Sequence, residues 1–296
     1  MLQGVYTALV TPFQANGEVD YDCLRALVAR QCEAGVEGIV PVGTTGESPS
    51  LSYEEHIKVI QTVAESCGAG TACCKDRPLV IAGTGANSTS EALELTHQAK
   101  AVGADATLQV TPYYNKPSQE GLYRHFMEVA EKGGLPVVLY NVPGRTARAI
   151  DVETIVRLAK HDQVVAVKEA GGSVDRVSQI VDACDITVLS GDDILALPMM
   201  VVGATGVISV ASNVIPKPIH EMVAAALDGR WSEARDIHKC YYRVMSGFFL
   251  DTNPVPVKTA LAMMGLCEES FRLPLCNMES ALRDRLHTIL TNSGVI

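Results

Sequence analysis

Short runs of branched apolar residues recur along the chain, and between them apolar positions fall at helical spacing. Val5 to Val10 opens as a strand that the Thr11-Pro12-Phe13 step breaks; Leu24, Leu27 and Val28 then share a helix face ending before Gly35. Gly38 to Gly43 predicts a second strand, followed by a helix whose start, Ser52-Tyr53-Glu54-Glu55, fits a capping box. Leu79 to Gly83 repeats the strand, and Ser88-Thr89-Ser90-Glu91 predicts another capping box on a helix that stops at Gly103. Thr107 to Val110 and Pro136 to Tyr140 are the next strands, separated by a helix carrying Leu122, Phe126 and Val129. Val164 to Ala170, Thr187 to Gly191 and Gly206 to Val210 complete the set. Eight strands alternating with helices predict an α/β fold, a (β/α)8 TIM barrel rather than an open sheet. From Trp231 onward the pattern is wholly helical, with Leu261, Met264 and Leu266 in one segment and Leu282, Leu286 and Ile289 in another. Residues 1–230 are therefore expected to form the barrel, and residues 231–296 a C-terminal helical extension beside it.

The sixth strand carries the first sign of chemistry. Val164-Val165-Ala166-Val167 leads straight into Lys168, so the lysine sits in a strand apolar enough to be covered on both faces. An amine stripped of water is a nucleophile suited to forming an imine with a carbonyl compound. The structural alternative is that Glu169 pairs with it at a strand end. In a barrel, function gathers on the loops leaving the C-terminal ends of the strands. Those loops hold Gly43-Thr44-Thr45-Gly46-Glu47, Thr111-Pro112-Tyr113-Tyr114-Asn115, Tyr140-Asn141-Val142-Pro143-Gly144-Arg145 and Gly191-Asp192-Asp193. Taken singly, the threonines could be an ordinary turn, Tyr140 a core aromatic, Arg145 a solvated charge and the aspartates a helix start. Their convergence with Lys168 on one mouth favours an active site.

Composition narrows the substrate. The net charge is −10, from 24 basic and 34 acidic residues with no basic cluster, which argues against nucleic acid or an anionic membrane as partner. No stretch reaches about 18 apolar residues, and Met1 to Tyr6 does not resemble a leader, so a cytoplasmic protein is expected. The nine cysteines form no CxxC pair and are expected to be reduced. A zinc site from Cys67, Cys73 and Cys74 would lack a fourth ligand, and Cys67 to Arg77 reads as a surface loop insertion. Gly83-Thr84-Gly85 lacks the third glycine of a dinucleotide fingerprint, and neither a Walker lysine nor HExxH is present, so no cofactor and no metal are expected. Asp192-Asp193 lies where phosphate-binding barrels place their anion site, which disfavours a phosphorylated substrate.

GTTGE at Gly43 to Glu47, TPYYN at Thr111 to Asn115, YNVPGRT at Tyr140 to Thr146, VKEA at Val167 to Ala170, SGDD at Ser190 to Asp193 and GVISV at Gly206 to Val210 resemble the dihydrodipicolinate synthase family of pyruvate-dependent aldolases. The resemblance runs from about Gly4 through NPVPVK at Asn253 to Lys258 and on through the terminal helices. The wider group, with N-acetylneuraminate lyase and keto-deoxy sugar acid aldolases, shares the barrel, the lysine and the tyrosine; the arginine of YNVPGRT points to the synthase branch. The resemblance implies that Lys168 forms a Schiff base with pyruvate and that Tyr140 moves protons through Thr44 and Tyr114, the latter reaching into a neighbouring subunit. It implies that Thr45 binds the pyruvyl carboxylate, that Gly191 and Ile208 line the pocket, and that Arg145 holds the carboxylate of L-aspartate 4-semialdehyde. A homo-oligomer, dimer or tetramer, is implied as well. Feedback inhibition by L-lysine is a trait of some members; the matching positions are Ser48, Pro49, Tyr53, His56, Asn87, Glu91 and Tyr113, of which Pro49 and Tyr53 depart from the inhibited pattern. By their helical setting, His56 and Glu91 could equally be two exposed residues.

Overall fold

A computed structural model describes residues 2–68 and 77–296. Cys73, Cys74 and most of the expected insertion lie outside the described residues. Eight parallel strands close on themselves in chain order: β1 Gly4–Ala8, β2 Gly38–Val40, β3 Leu79–Gly83, β4 Ala106–Val110, β5 Val137–Asn141, β6 Val164–Glu169, β7 Thr187–Ser190 and β8 Gly206–Ser209. Helices follow the strands and cover the outside of the ring. Because a strand alternates faces, one set of its residues meets the helices and the other fills the ring. Val5, Val137, Leu139, Val167, Val188 and Val207 join the helix-facing core, whereas Tyr6, Ala8, Ile81, Leu108, Tyr140, Ala166, Leu189 and Ile208 form a second cluster inside the ring. On β6 that alternation puts Ala166 and Lys168 inward and Val167 and Glu169 outward.

Several strands are shorter than their apolar runs. β2 ends at Val40 instead of Gly43, β1 at Ala8 instead of Val10, β7 at Ser190 and β8 at Ser209, because the chain leaves the ladder at the mouth. At β2 the departure is enforced by Val42, whose φ of +49° is incompatible with a strand. The capping box predicted at Ser52 forms, with both reciprocal bonds to Glu55. The one predicted at Ser88 does not: its hydroxyl pairs with Ser90 Oγ at 2.9 Å instead of capping the helix Thr89–Ala101. In the terminal region, Met264 and Leu266 fall past the end of the helix Val255–Met263.

His56 is not an exposed helix residue. It lies buried under the β3 turn, where its Nε2 donates to the Gly83 carbonyl at 2.9 Å, leaving Nδ1 facing Ser48 Oγ at 3.4 Å. Burial pushes its pKa from 6.5 down to about 4, and burial does the same to His125, packed against Thr89. Both must stay neutral in the fold while the unfolded chain protonates them. Stability is therefore lost as pH falls from 6.5 towards 4, by up to roughly 3 kcal/mol per histidine. Asp193, raised to about 6 by burial, works in the opposite sense over the same range. His125→Gln is expected to remove one histidine's share of this acid sensitivity, read as the change in slope of unfolding free energy against pH; an unchanged slope would show that His125 is not buried as a neutral group.

Candidate active site

Among the described residues two lysines are buried, and their surroundings differ. Lys258, with no exposed surface, is paired with Glu47 at 2.6 Å and packed over the rings of Phe13 and Phe271. Burial lowers its pKa and the Glu47 carboxylate opposes that shift. Lys168 is only 6% exposed, yet among the described residues it has no ion-pair or hydrogen-bond partner. Its neighbour is the ring of Tyr140, with Nζ 4.2 Å from the centroid, as the β5–β6 register dictates by setting Tyr140 opposite Lys168. The alternative pairing with Glu169 does not form, because adjacent residues on a strand point to opposite faces. Glu169 faces out of the ring, where Asn141 Nδ2 donates to both its oxygens at 2.9 Å, Arg176 Nε at 2.9 Å and the Gly171 amide at 2.7 Å. This network anchors the start of the β5 loop behind the site.

Gly191 is required by the lysine. A Cβ there would stand 3.0 Å from Lys168 Cε and 2.6 Å from the Ala170 Cβ, so a side chain at this position would displace the amine. Ile208 is fully buried among the ring-filling residues. Asp192 caps the helix Asp193–Val201, as its place after β7 suggests, but Asp193 does something else. It is buried and accepts from Ser209 Oγ and from the amides of Val210 and Ala211, fixing the β8 loop to the β7 loop.

The mouth is built from strained backbone. Among the described residues, five residues other than glycine have positive φ: Val42, Glu47, Tyr114, Lys116 and Ala147. All five lie on the loops after β2, β4 and β5, at the end of the barrel that carries Lys168. Such conformations persist only where surrounding contacts hold them. For the β2 loop one such contact is the Thr11 hydroxyl, which donates to the Gly46 carbonyl at 2.7 Å, and others come from the far end of the chain. Lys258 holds Glu47, Asn253 Nδ2 donates to Thr45 Oγ1 at 3.0 Å, and the Asn253 carbonyl accepts from Arg145 Nη2 at 3.2 Å. Sequence reasoning gave no role to Asn253 or Lys258. The signal was present: a lysine inside the apolar run Val255-Pro256-Val257-Lys258-Thr259-Ala260-Leu261 demands a buried partner.

A cavity of about 220 Å³ opens at this mouth, and its wall includes Thr44, Tyr140, Arg145 and Thr146 together with Ser48, Pro49 and Tyr113. Lys168 and Thr45 are not on its wall; the lysine lies against Tyr140 and the threonine is 3% exposed. Three of the positions matched to lysine regulation thus share a cavity with the catalytic candidates. His56 reaches it only through Ser48, Asn87 Nδ2 donates to the Tyr113 carbonyl at 3.3 Å, and Glu91 is exposed. Tyr114 stands apart, 90% exposed and off the cavity wall. Among the described residues no group of three or more His, Cys, Asp or Glu could hold a metal ion, and no helix is long and apolar enough to cross a membrane.

A closed βα ring with a buried lysine at its mouth, a phenol against it and a guanidinium on the cavity wall is the arrangement of a barrel enzyme. Comparison with known proteins specifies it further: residues 1–293 match the Dihydrodipicolinate synthetase family, and the chain belongs to that family. It is 49% identical over 298 aligned positions to the 4-hydroxy-tetrahydrodipicolinate synthase of Pelobacter propionicus, with both chains covered in full. Among solved structures it matches the dihydrodipicolinate synthase of Acinetobacter baumannii complexed with pyruvate, at 44% identity and a TM-score of 0.96 over the whole of both chains. It also matches the enzyme of Cyanidioschyzon merolae with lysine bound, at 39% identity and a TM-score of 0.94 over 99% of each.

Proposed function

We propose that this chain is a 4-hydroxy-tetrahydrodipicolinate synthase, a lyase that condenses pyruvate with L-aspartate 4-semialdehyde through an imine on Lys168. The observation that carries the reading is Lys168 itself, 6% exposed inside the ring next to a phenol, with no ion-pair or hydrogen-bond partner among the described residues. Lys168 Nζ adds to the ketone carbon of pyruvate and water leaves, giving an imine that acidifies the neighbouring methyl group. Tyr140 takes that proton, and the resulting enamine attacks the aldehyde carbon of the second substrate. The amine of the semialdehyde then adds to the imine carbon, closes the ring and returns Lys168 to its free form. A phenol is a weak base alone, so the proton passes on through Thr44, and through Tyr114 donated by a second copy of the chain. That role fits a tyrosine 90% exposed in the single chain. Thr45 takes the pyruvyl carboxylate, Gly191 and Ile208 shape the pocket, and Arg145 takes the carboxylate of the semialdehyde, for which its fork of donors is suited. The product leads to diaminopimelate and lysine in the cytoplasm, and L-lysine acts back on the wall formed by Ser48, Pro49 and Tyr113.

Borohydride reduction in the presence of pyruvate, followed by mass spectrometry, is expected to place a stable adduct on Lys168; its absence rejects the reading. A coupled semialdehyde assay then separates the synthase from sugar-acid aldolases, since only the former consumes the semialdehyde. Arg145→Ala is expected to lower kcat/KM for the semialdehyde by about 10- to 150-fold, the worth of hydrogen bonds to a charged group. The pyruvate adduct should form as in the unaltered protein, and a parallel loss of adduct would move Arg145 to the pyruvate side.

A further inference from the structure

We propose that Asn253 is a positioning residue for the keto-acid carboxylate, acting by fixing the direction of the Thr45 hydroxyl proton. A threonine Oγ can accept two hydrogen bonds but has one proton to give. Asn253 Nδ2 donates to Thr45 Oγ1 at 3.0 Å, so one lone pair is occupied. Among the described residues no protein acceptor takes the proton, which is left to a ligand. An amide donor behind a hydroxyl therefore makes that hydroxyl a donor in front, the polarity a carboxylate needs. An acceptor in the same place would turn it round.

Asn253 is 7% exposed, and among the described residues its buried Oδ1 has no partner. A buried orphan oxygen costs free energy, and a residue chosen for packing alone would not carry it. Its backbone carbonyl, separately, receives Arg145 Nη2. The side chain thus addresses the group assigned to pyruvate, and the main chain the group assigned to the semialdehyde. A side-chain substitution should disturb the first and spare the second.

The inference rests on the reading of Thr45 as the carboxylate ligand, and its test keeps the two apart. Asn253→Asp is nearly isosteric but can only accept at neutral pH, so the Thr45 proton turns towards it and a negative charge is added behind the pocket. Half-saturation of borohydride-trapped adduct, titrated with pyruvate, is expected to rise roughly tenfold or more. The semialdehyde KM should stay within about twofold. Asn253→Ala, which removes the donor without adding charge, should move the same parameter in the same direction by less. In a Thr45→Val background, Asn253→Ala should add little, because the amide it removes acts through the hydroxyl. If the unaltered protein forms no adduct, the functional reading fails. If it does, and Asn253→Asp is trapped at the same pyruvate concentration, or both substrates shift together, or both variants fail to fold, Asn253 is a structural residue and the inference is overturned.

Discussion

Lys168→Met is expected to lower turnover by at least about a thousandfold and to eliminate the pyruvate adduct while leaving the fold as stable as before, or more so. The loss follows from the chemistry: without an imine there is no electron sink to acidify the methyl group of pyruvate, and no other residue can supply one. The unchanged stability follows from the surroundings. Lys168 has no ion-pair or hydrogen-bond partner among the described residues, so replacing it with an uncharged side chain of similar length strands no charge and matches the apolar ring around Leu189 and Ile208. Thermal melting alongside the coupled assay checks both halves. A melting temperature well below that of the unaltered protein would show that the amine has a structural partner, and residual turnover within a hundredfold would remove it from the mechanism.

Lys258→Met is expected to do the reverse, with its primary effect on stability. The pair with Glu47 is fully buried on both sides at 2.6 Å, and among the described residues Glu47 Oε2 already lacks a partner. Removing the lysine leaves an uncompensated carboxylate in the core, which costs about 3–5 kcal/mol. Denaturant unfolding should show that drop. The double variant Glu47→Gln, Lys258→Met should recover part of it, since neither charge is then stranded. A single-variant loss below about 1 kcal/mol, no more than a typical exposed pair contributes, would mean that water reaches Glu47. Because Glu47 holds a left-handed turn two residues past Thr45, the surviving folded fraction should also bind pyruvate less well.

The two lysines also show what the chain discloses before it is folded. Lys168 could be singled out because an apolar strand leading into a cationic side chain violates the hydrophobic pattern, and barrel topology says where such a strand ends. The same reasoning found Thr44, Tyr140 and Arg145, all on the cavity wall. It could not find the partner of Glu169. Neighbours in sequence invited a pairing with Lys168, whereas strand alternation turned the carboxylate towards Asn141 and Arg176. Nor could it see that Asn253 and Lys258 close over the β2 loop, because contacts across more than two hundred positions leave no local periodicity. The burial of His56 is hidden for a related reason. The helix Tyr53–Ser66 shows its amphipathic face plainly, but the second partner that buries the imidazole is a strand-end carbonyl elsewhere in the chain.

The late position of those two residues has a consequence for biosynthesis. A nascent chain that has just released β8 holds every strand of the ring, together with Lys168, Tyr140 and Thr45, but not yet Asn253 or Lys258. The ribosome thus delivers the scaffold and Lys168 first and the clamp on the β2 loop afterwards. A product cut short before Asn253 would carry the ring without the side chains that hold Thr45 and Glu47.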